Sequence, residues 1–114
     1  MFSKSDVLKA LQNHIGKTNG VKCDALVSEI NHKPWREPSY AAQRQVRKLV
    51  TELRLEGHHI CAHPASGYFI AETEDELNDT CLFLHQRAMA SLTQISRMKK
   101  VSLPDLRGQL RLPG

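Results

Sequence analysis

A mainly α fold with a small β-hairpin, followed by a long C-terminal helix, is predicted by three features of this 114-residue chain. Val46, Leu49, Val50 and Leu53 recur at helical spacing and Gly57 closes that segment. Two short β-type runs, 58–62 and 68–71, then flank a Pro64-Ala65-Ser66-Gly67 turn. Finally, Thr73 and Glu76 make a T-x-x-E capping signature ahead of an unbroken run reaching Lys100.

Taken in order, Ser5 is expected to cap a first helix that starts at Asp6, with Val7, Leu8, Leu11 and Ile15 on one face. Gly16 and the following KTNG segment end it. Asp24 caps a short second helix whose apolar positions are Ala25, Leu26, Val27 and Ile30. From Asn31 to Pro38 two prolines and Trp35 predict a loop, and Ser39 caps the third helix. The hairpin places Tyr68 and Ile70 on one face and Phe69 on the other. The fourth helix opens with Glu74, Asp75 and Glu76, where the helix dipole favours acids, and closes on Arg97, Lys99 and Lys100. It spans roughly 40 Å at about 1.5 Å per residue. Residues 101–114, with two prolines and two glycines, read as a flexible basic tail.

Hydrophobic content of 40% supports one small core, built mainly from Leu, Val, Ile and Ala because aromatics are few. Charge is unevenly distributed around the net +4. Residues 32–54 hold six Lys/Arg against Glu37 and Glu52, residues 72–79 hold five acids and no base, and residues 97–111 hold five bases against Asp105. A basic middle of this kind suits nucleic acid. Cys23, Cys61 and Cys81 are odd in number and widely spaced, so no disulfide framework is expected and a reducing cytoplasm is. The MFSKSDVLKA start lacks a signal-peptide apolar run, and no stretch approaches the roughly 20 apolar residues of a membrane helix.

The third helix carries the functional expectation. Its early turns offer Gln43, Arg44, Gln45 and Arg47, residue types that pair with guanine (Arg) and adenine (Gln) in the major groove. Lys48 and Arg54 suit phosphates, and Ser39 and Tyr40 add backbone contacts. His63 and Ser66 lie at or near the hairpin tip. The competing view of the helix is an ordinary solvated face, since such faces are rich in Arg, Lys and Gln.

The segment LVTELRLEGHHICAHPASGYFIA resembles the helix-plus-wing of winged helix-turn-helix domains, those of the biotin-ligase repressor and the sugar-responsive repressors. The pattern is L-x-x-x-G, a short strand, then P-x-x-G-Y-x-[LIV], here Leu53 to Gly57 followed by Pro64, Gly67, Tyr68 and Ile70. The resemblance implies a winged helix over residues 5–72, a short first strand at Val21, and double-stranded DNA as partner. Through it His63 and Ser66 join the DNA-contact candidates. The HKPWREPSYA segment is longer than the family's tight turn between motif helices.

His59, Cys61 and His63 alternate along one strand and invite a zinc reading, but they spread over about 14 Å of extended chain, so no metal or other cofactor is expected. Without a phosphate loop or a nucleophile–base pair, no enzyme is expected either. On the last helix Leu77, Cys81, Leu84, Ala88, Ile95 and Met98 step by four and three, interrupted at Ser91. This seam over residues 73–100 predicts a homodimer; the alternative is a helix packed wholly on its own domain. Gln109, Leu110 and Leu112 are similar to the peptide by which bacterial replication proteins bind the sliding clamp, with Pro113 and Gly114 in place of its apolar end.

The expectation is therefore a small dimeric, DNA-binding transcription regulator of winged-helix type, of the kind found in phages and mobile elements. The alternative is a protein-interaction module, a replication accessory or inhibitor acting through the long helix and the tail.

Overall fold

The computed structural model describes residues 2–31 and 40–100. Of the loop expected from Asn31 to Pro38, Asn31 is instead the last residue of a helix and the rest lies outside them, as do the Ser39 cap and the tail with Gln109, Leu110 and Leu112. The chain is mainly helical, with one two-stranded antiparallel hairpin and a long C-terminal helix. The elements run α1 (Lys4–Leu11), a 3₁₀ turn (Lys17–Asn19), α2 (Cys23–Asn31), α3 (Tyr40–Leu55), β1 (Ile60–His63), β2 (Gly67–Ile70) and α4 (Glu74–Lys99). Two compact units divide within α4, Met1–Thr80 and Cys81–Gly114.

The first unit is built on α1, α2 and α3. Val7 and Leu11 from α1, Leu26 and Val27 from α2, and Val46, Leu49, Val50 and Leu53 from α3 form one apolar cluster with Val21 and Ile60. Burying each of these side chains contributes about 1.5–3 kcal/mol. The stripe on α3 has the predicted spacing, which is why that helix presents its opposite side to solvent.

The first helix begins two residues before the expected Asp6. Ser3, not Ser5, is its cap: the Ser3 hydroxyl accepts from the Asp6 N–H at 3.2 Å, and the Ser3 N–H donates to the Asp6 carboxylate at 3.0 Å. Asp6 supplies the reciprocal half of a capping box, which Ser5, inside the first turn, has no partner at that spacing to form. The helix also ends at Leu11, so Ile15 leaves the apolar face and is 47% exposed. The backbone at 14–16 instead docks along β2, with the Ile70 N–H on the His14 carbonyl and the Gly16 N–H on the Ile70 carbonyl, each at 2.8 Å.

Val21 makes a bridge to Tyr68 through paired backbone bonds of 2.8 and 2.7 Å. Strand β2 is thus flanked by β1 on one side and by the chain between His14 and Val21 on the other. The His14 imidazole ties this connection together, bridging the Asn19 carbonyl (2.8 Å) and the Glu29 carboxylate (2.9 Å).

Gly57 ends α3 as expected. At φ 99° it donates to the Arg54 carbonyl (3.0 Å), while the His58 N–H reaches Leu53 (3.1 Å), the paired bonds of a Schellman motif. In the hairpin His63 pairs with Gly67 around a three-residue loop. The Ser66 N–H returns to the His63 carbonyl at 3.2 Å, and Gly67 follows at φ 83°. That is a type I turn completed by a left-handed residue, which the P-A-S-G sequence suits.

The capping signature of α4 is half realised. The Thr73 hydroxyl accepts from the Glu76 N–H at 3.2 Å. The Glu76 carboxylate turns instead to the N–H groups of Glu72 (2.9 Å) and Lys17 (3.1 Å), tying the helix start to the 3₁₀ turn.

Candidate nucleic-acid interface

Helix α3 sets the candidate site. With 3.6 residues per turn, Arg44, Lys48 and Thr51 fall opposite the buried stripe, and all three are exposed. Tyr40, one turn before Arg44, is 68% exposed. The Arg44 guanidinium lies over its ring, 5.1 Å from the centroid. No acid occupies the first turn of α3. Among the described residues no carboxylate pairs with Arg44, Arg47 or Lys48, whereas Glu56 beyond the helix is bound by Lys4 at 2.5 Å. Among the described residues, positive charge without an ion-pair partner is therefore concentrated in the middle of α3, at Arg44, Arg47 and Lys48.

The two flanks of the helix differ. Gln43, Arg47 and Arg54 share the flank toward the hairpin and the start of α2. Arg47 is exposed and stands close enough to the half-buried Tyr68 to oppose the rise that burial imposes on its hydroxyl pKa. Burial likewise raises the Cys23 thiol, again with Arg47 opposing, so Cys23 sits in this flank as a protonated, half-buried group. Its Sγ donates to the Gln43 carbonyl at 3.6 Å.

Arg54, expected at a phosphate, is turned inward. Its Nε donates to the Ile60 carbonyl at 2.8 Å, and its Nη2 is buried with no hydrogen-bond partner. Gln45, expected at a base, lies on the opposite flank and donates from Nε2 to the Phe2 carbonyl at 3.2 Å. The five candidates on α3 after Tyr40 and Gln43 thus divide: Arg44 and Lys48 face solvent, Arg47 is exposed but also reaches the Tyr68 side chain, and Gln45 and Arg54 are bonded to other parts of the unit.

At the hairpin tip His63 is exposed and its Nδ1 accepts from the Ala65 N–H at 3.1 Å; Ser66 is half-buried. Sequence reasoning missed Lys22. Its ammonium donates to the Pro64 carbonyl, adding a cation beside the tip. This contact joins residues 42 positions apart, and only the docking of the 16–22 chain on β2 brings it about. Thr51 was missed as well, though its place three residues beyond Lys48 was readable; its hydroxyl donates to the Arg47 carbonyl at 3.1 Å.

Strand β1 begins at Ile60, two residues later than the expected 58–62 run. In it Cys61 is buried with its Sγ donating to the Glu76 carbonyl at 3.6 Å and His63 is exposed, and His59, ahead of the strand, is exposed too. Among the described residues no three His, Cys, Asp or Glu side chains gather as a metal-ligand set.

On α4, Leu77 is half-buried within the first unit. In the second unit Cys81, Leu84, Ala88 and Met98 are exposed and Ile95 is half-buried; Leu84 is 40% and Met98 76% exposed. No helix among the described residues is long and apolar enough to cross a membrane.

No family model, curated protein or solved structure matches the chain.

Proposed function

We propose that the protein is a winged helix-turn-helix DNA-binding regulator, with α3 entering the major groove and the β1–β2 hairpin as the wing. The observation that carries this reading is the outward face of α3, where Arg44, Arg47 and Lys48 stand without acidic partners among the described residues. Cations so placed attract phosphates, which supply most of the affinity of a DNA-binding surface. Lys22 extends the positive surface to the hairpin tip, where His63 is exposed. The three free cysteines suit the reducing cytoplasm in which such a regulator works.

The working unit of this reading is a homodimer. Cys81, Leu84, Ala88 and Met98 present an exposed seam at heptad spacing, which a second copy of α4 would cover. A protein-interaction module is the second reading, favoured by Leu82 and Phe83, which are 55% and 45% exposed off that seam.

Titration of mixed-sequence duplex DNA by fluorescence anisotropy, at about 50 and 200 mM salt, tests the proposal. DNA binding predicts measurable affinity at low salt and a fall of at least tenfold at high salt. Absence of binding at low salt would remove the DNA reading and leave the protein-interaction one. Sedimentation of the same preparation should give twice the 12.9 kDa chain mass, and a monomer at micromolar concentration would remove the dimer.

A further inference from the structure

We infer that Arg44 is the base-reading residue of α3, that its target is guanine in the major groove, and that Tyr40 positions it through the face of its ring. This rests on the DNA-binding reading above and goes further by assigning separate roles within the basic face.

Elimination narrows the reader. Of the two glutamines suited to adenine, Gln43 is half-buried on the hairpin flank, where its backbone carbonyl meets the Cys23 thiol, and Gln45 donates to the Phe2 carbonyl from the far flank. Arg54 is fixed on the Ile60 carbonyl. Arg47 lies on the hairpin flank beside Tyr68, away from the axis of the outward face. Lys48 is on that axis but is a flexible point charge, suited to phosphate rather than to a paired-acceptor edge. Arg44 remains, exposed on the axis and in the N-terminal half of the helix, the part that helix-turn-helix readers bring to base edges.

The contact with Tyr40 supplies what an exposed arginine otherwise lacks. A free guanidinium samples many rotamers, and fixing them on binding costs affinity. The cation–π contact with the Tyr40 ring, with the guanidinium carbon 5.1 Å from the centroid, restricts that motion. A guanidinium that meets a ring through its flat face keeps its N–H donors, which lie in its plane, available. A pair of in-plane donors matches the O6 and N7 acceptors that guanine presents in the major groove. Tyr40 then acts through Arg44, and its hydroxyl is not required, in contrast to the phosphate contact expected from the sequence.

Three alternating duplexes test this: poly(dG-dC), poly(dA-dT) and poly(dI-dC). All carry the same phosphate charge. Inosine keeps O6 and N7 but lacks the 2-amino group, so poly(dI-dC) resembles G·C in the major groove and A·T in the minor. Wild-type protein should bind poly(dG-dC) and poly(dI-dC) alike, on the order of tenfold or more above poly(dA-dT). Arg44→Ala should bind all three equally. Tyr40→Phe, which keeps the ring, should keep the preference, and Tyr40→Leu should lose part of it with the same salt dependence. Binding with no preference among the three would overturn the inference while leaving the DNA-binding reading intact. So would a poly(dI-dC) affinity equal to that for poly(dA-dT), which places the reading in the minor groove. Equal losses for Tyr40→Phe and Tyr40→Leu would overturn the role of the ring. No binding to any of the three at low salt would overturn both readings.

Discussion

Single residues set how closely the hairpin approaches the helical core. Gly67 has φ 83°, and a Cβ there would lie 2.2 Å from the Val21 carbonyl oxygen, a backbone atom with no room to yield. Gly57 has φ 99° but open space around it. The two therefore separate backbone strain from packing. Gly57→Ala should cost about 1–2 kcal/mol, the strain of a left-handed residue with a side chain. Gly67→Ala adds overpacking of about 1–3 kcal/mol and should be clearly the worse of the two. Urea unfolding of both variants checks this, and equal costs would show that the Val21–Tyr68 approach is looser than described. The sequence predicted each glycine's turn, because φ is a local matter. It could not predict the crowding at Gly67, which arises from a chain segment 46 positions earlier.

At the scale of elements, helices with a strong apolar period were readable, and their ends less so. The stripe Val46, Leu49, Val50 and Leu53 identified α3, and the Gly57 cap ended it in the expected place. The start of α1 was misread because Ser3 and Ser5 are both good caps, and only Ser3 has an acid three residues on. The end of α1 was misread because Ile15 continues the helical period while its backbone is taken by β2. Glu76 is the same lesson at α4: its spacing from Thr73 suggested a reciprocal box, but its carboxylate joins two other backbone groups. Those bonds, first from Glu72 and then from Lys17, hold its pKa below the ordinary carboxylate value. A lowered folded-state pKa means the contribution is fully present above the unfolded-state value and is lost as pH falls through the folded one. Wild-type protein should thus be more stable than Glu76→Gln near neutral pH, with the gap closing on acidification below the ordinary carboxylate range. Chemical unfolding at several pH values measures that gap, and a gap independent of pH would contradict the assignment.

For the whole molecule, the division of the candidate site was the least legible feature. The sequence supplied a basic helix, but which side chains face outward depends on contacts with distant segments. Gln45 is drawn to Phe2 and Arg54 to Ile60, neither of which a reading of α3 alone reveals. Lys22 joins the hairpin only because the chain before α2 docks on β2. The proposed partner rests on the sum of these placements, the exposed cations Arg44, Arg47 and Lys48 within two turns of α3, and it is an electrostatic proposal with an electrostatic test. The decisive quantity is the slope of log affinity for duplex DNA against log salt, measured for wild-type protein and for Arg47→Ala/Lys48→Ala. Each phosphate contact contributes about 0.9 to that slope, so the double variant should be shallower by about 1.8. An unchanged slope, with the variant folded, would mean that the outward face of α3 does not meet the DNA backbone.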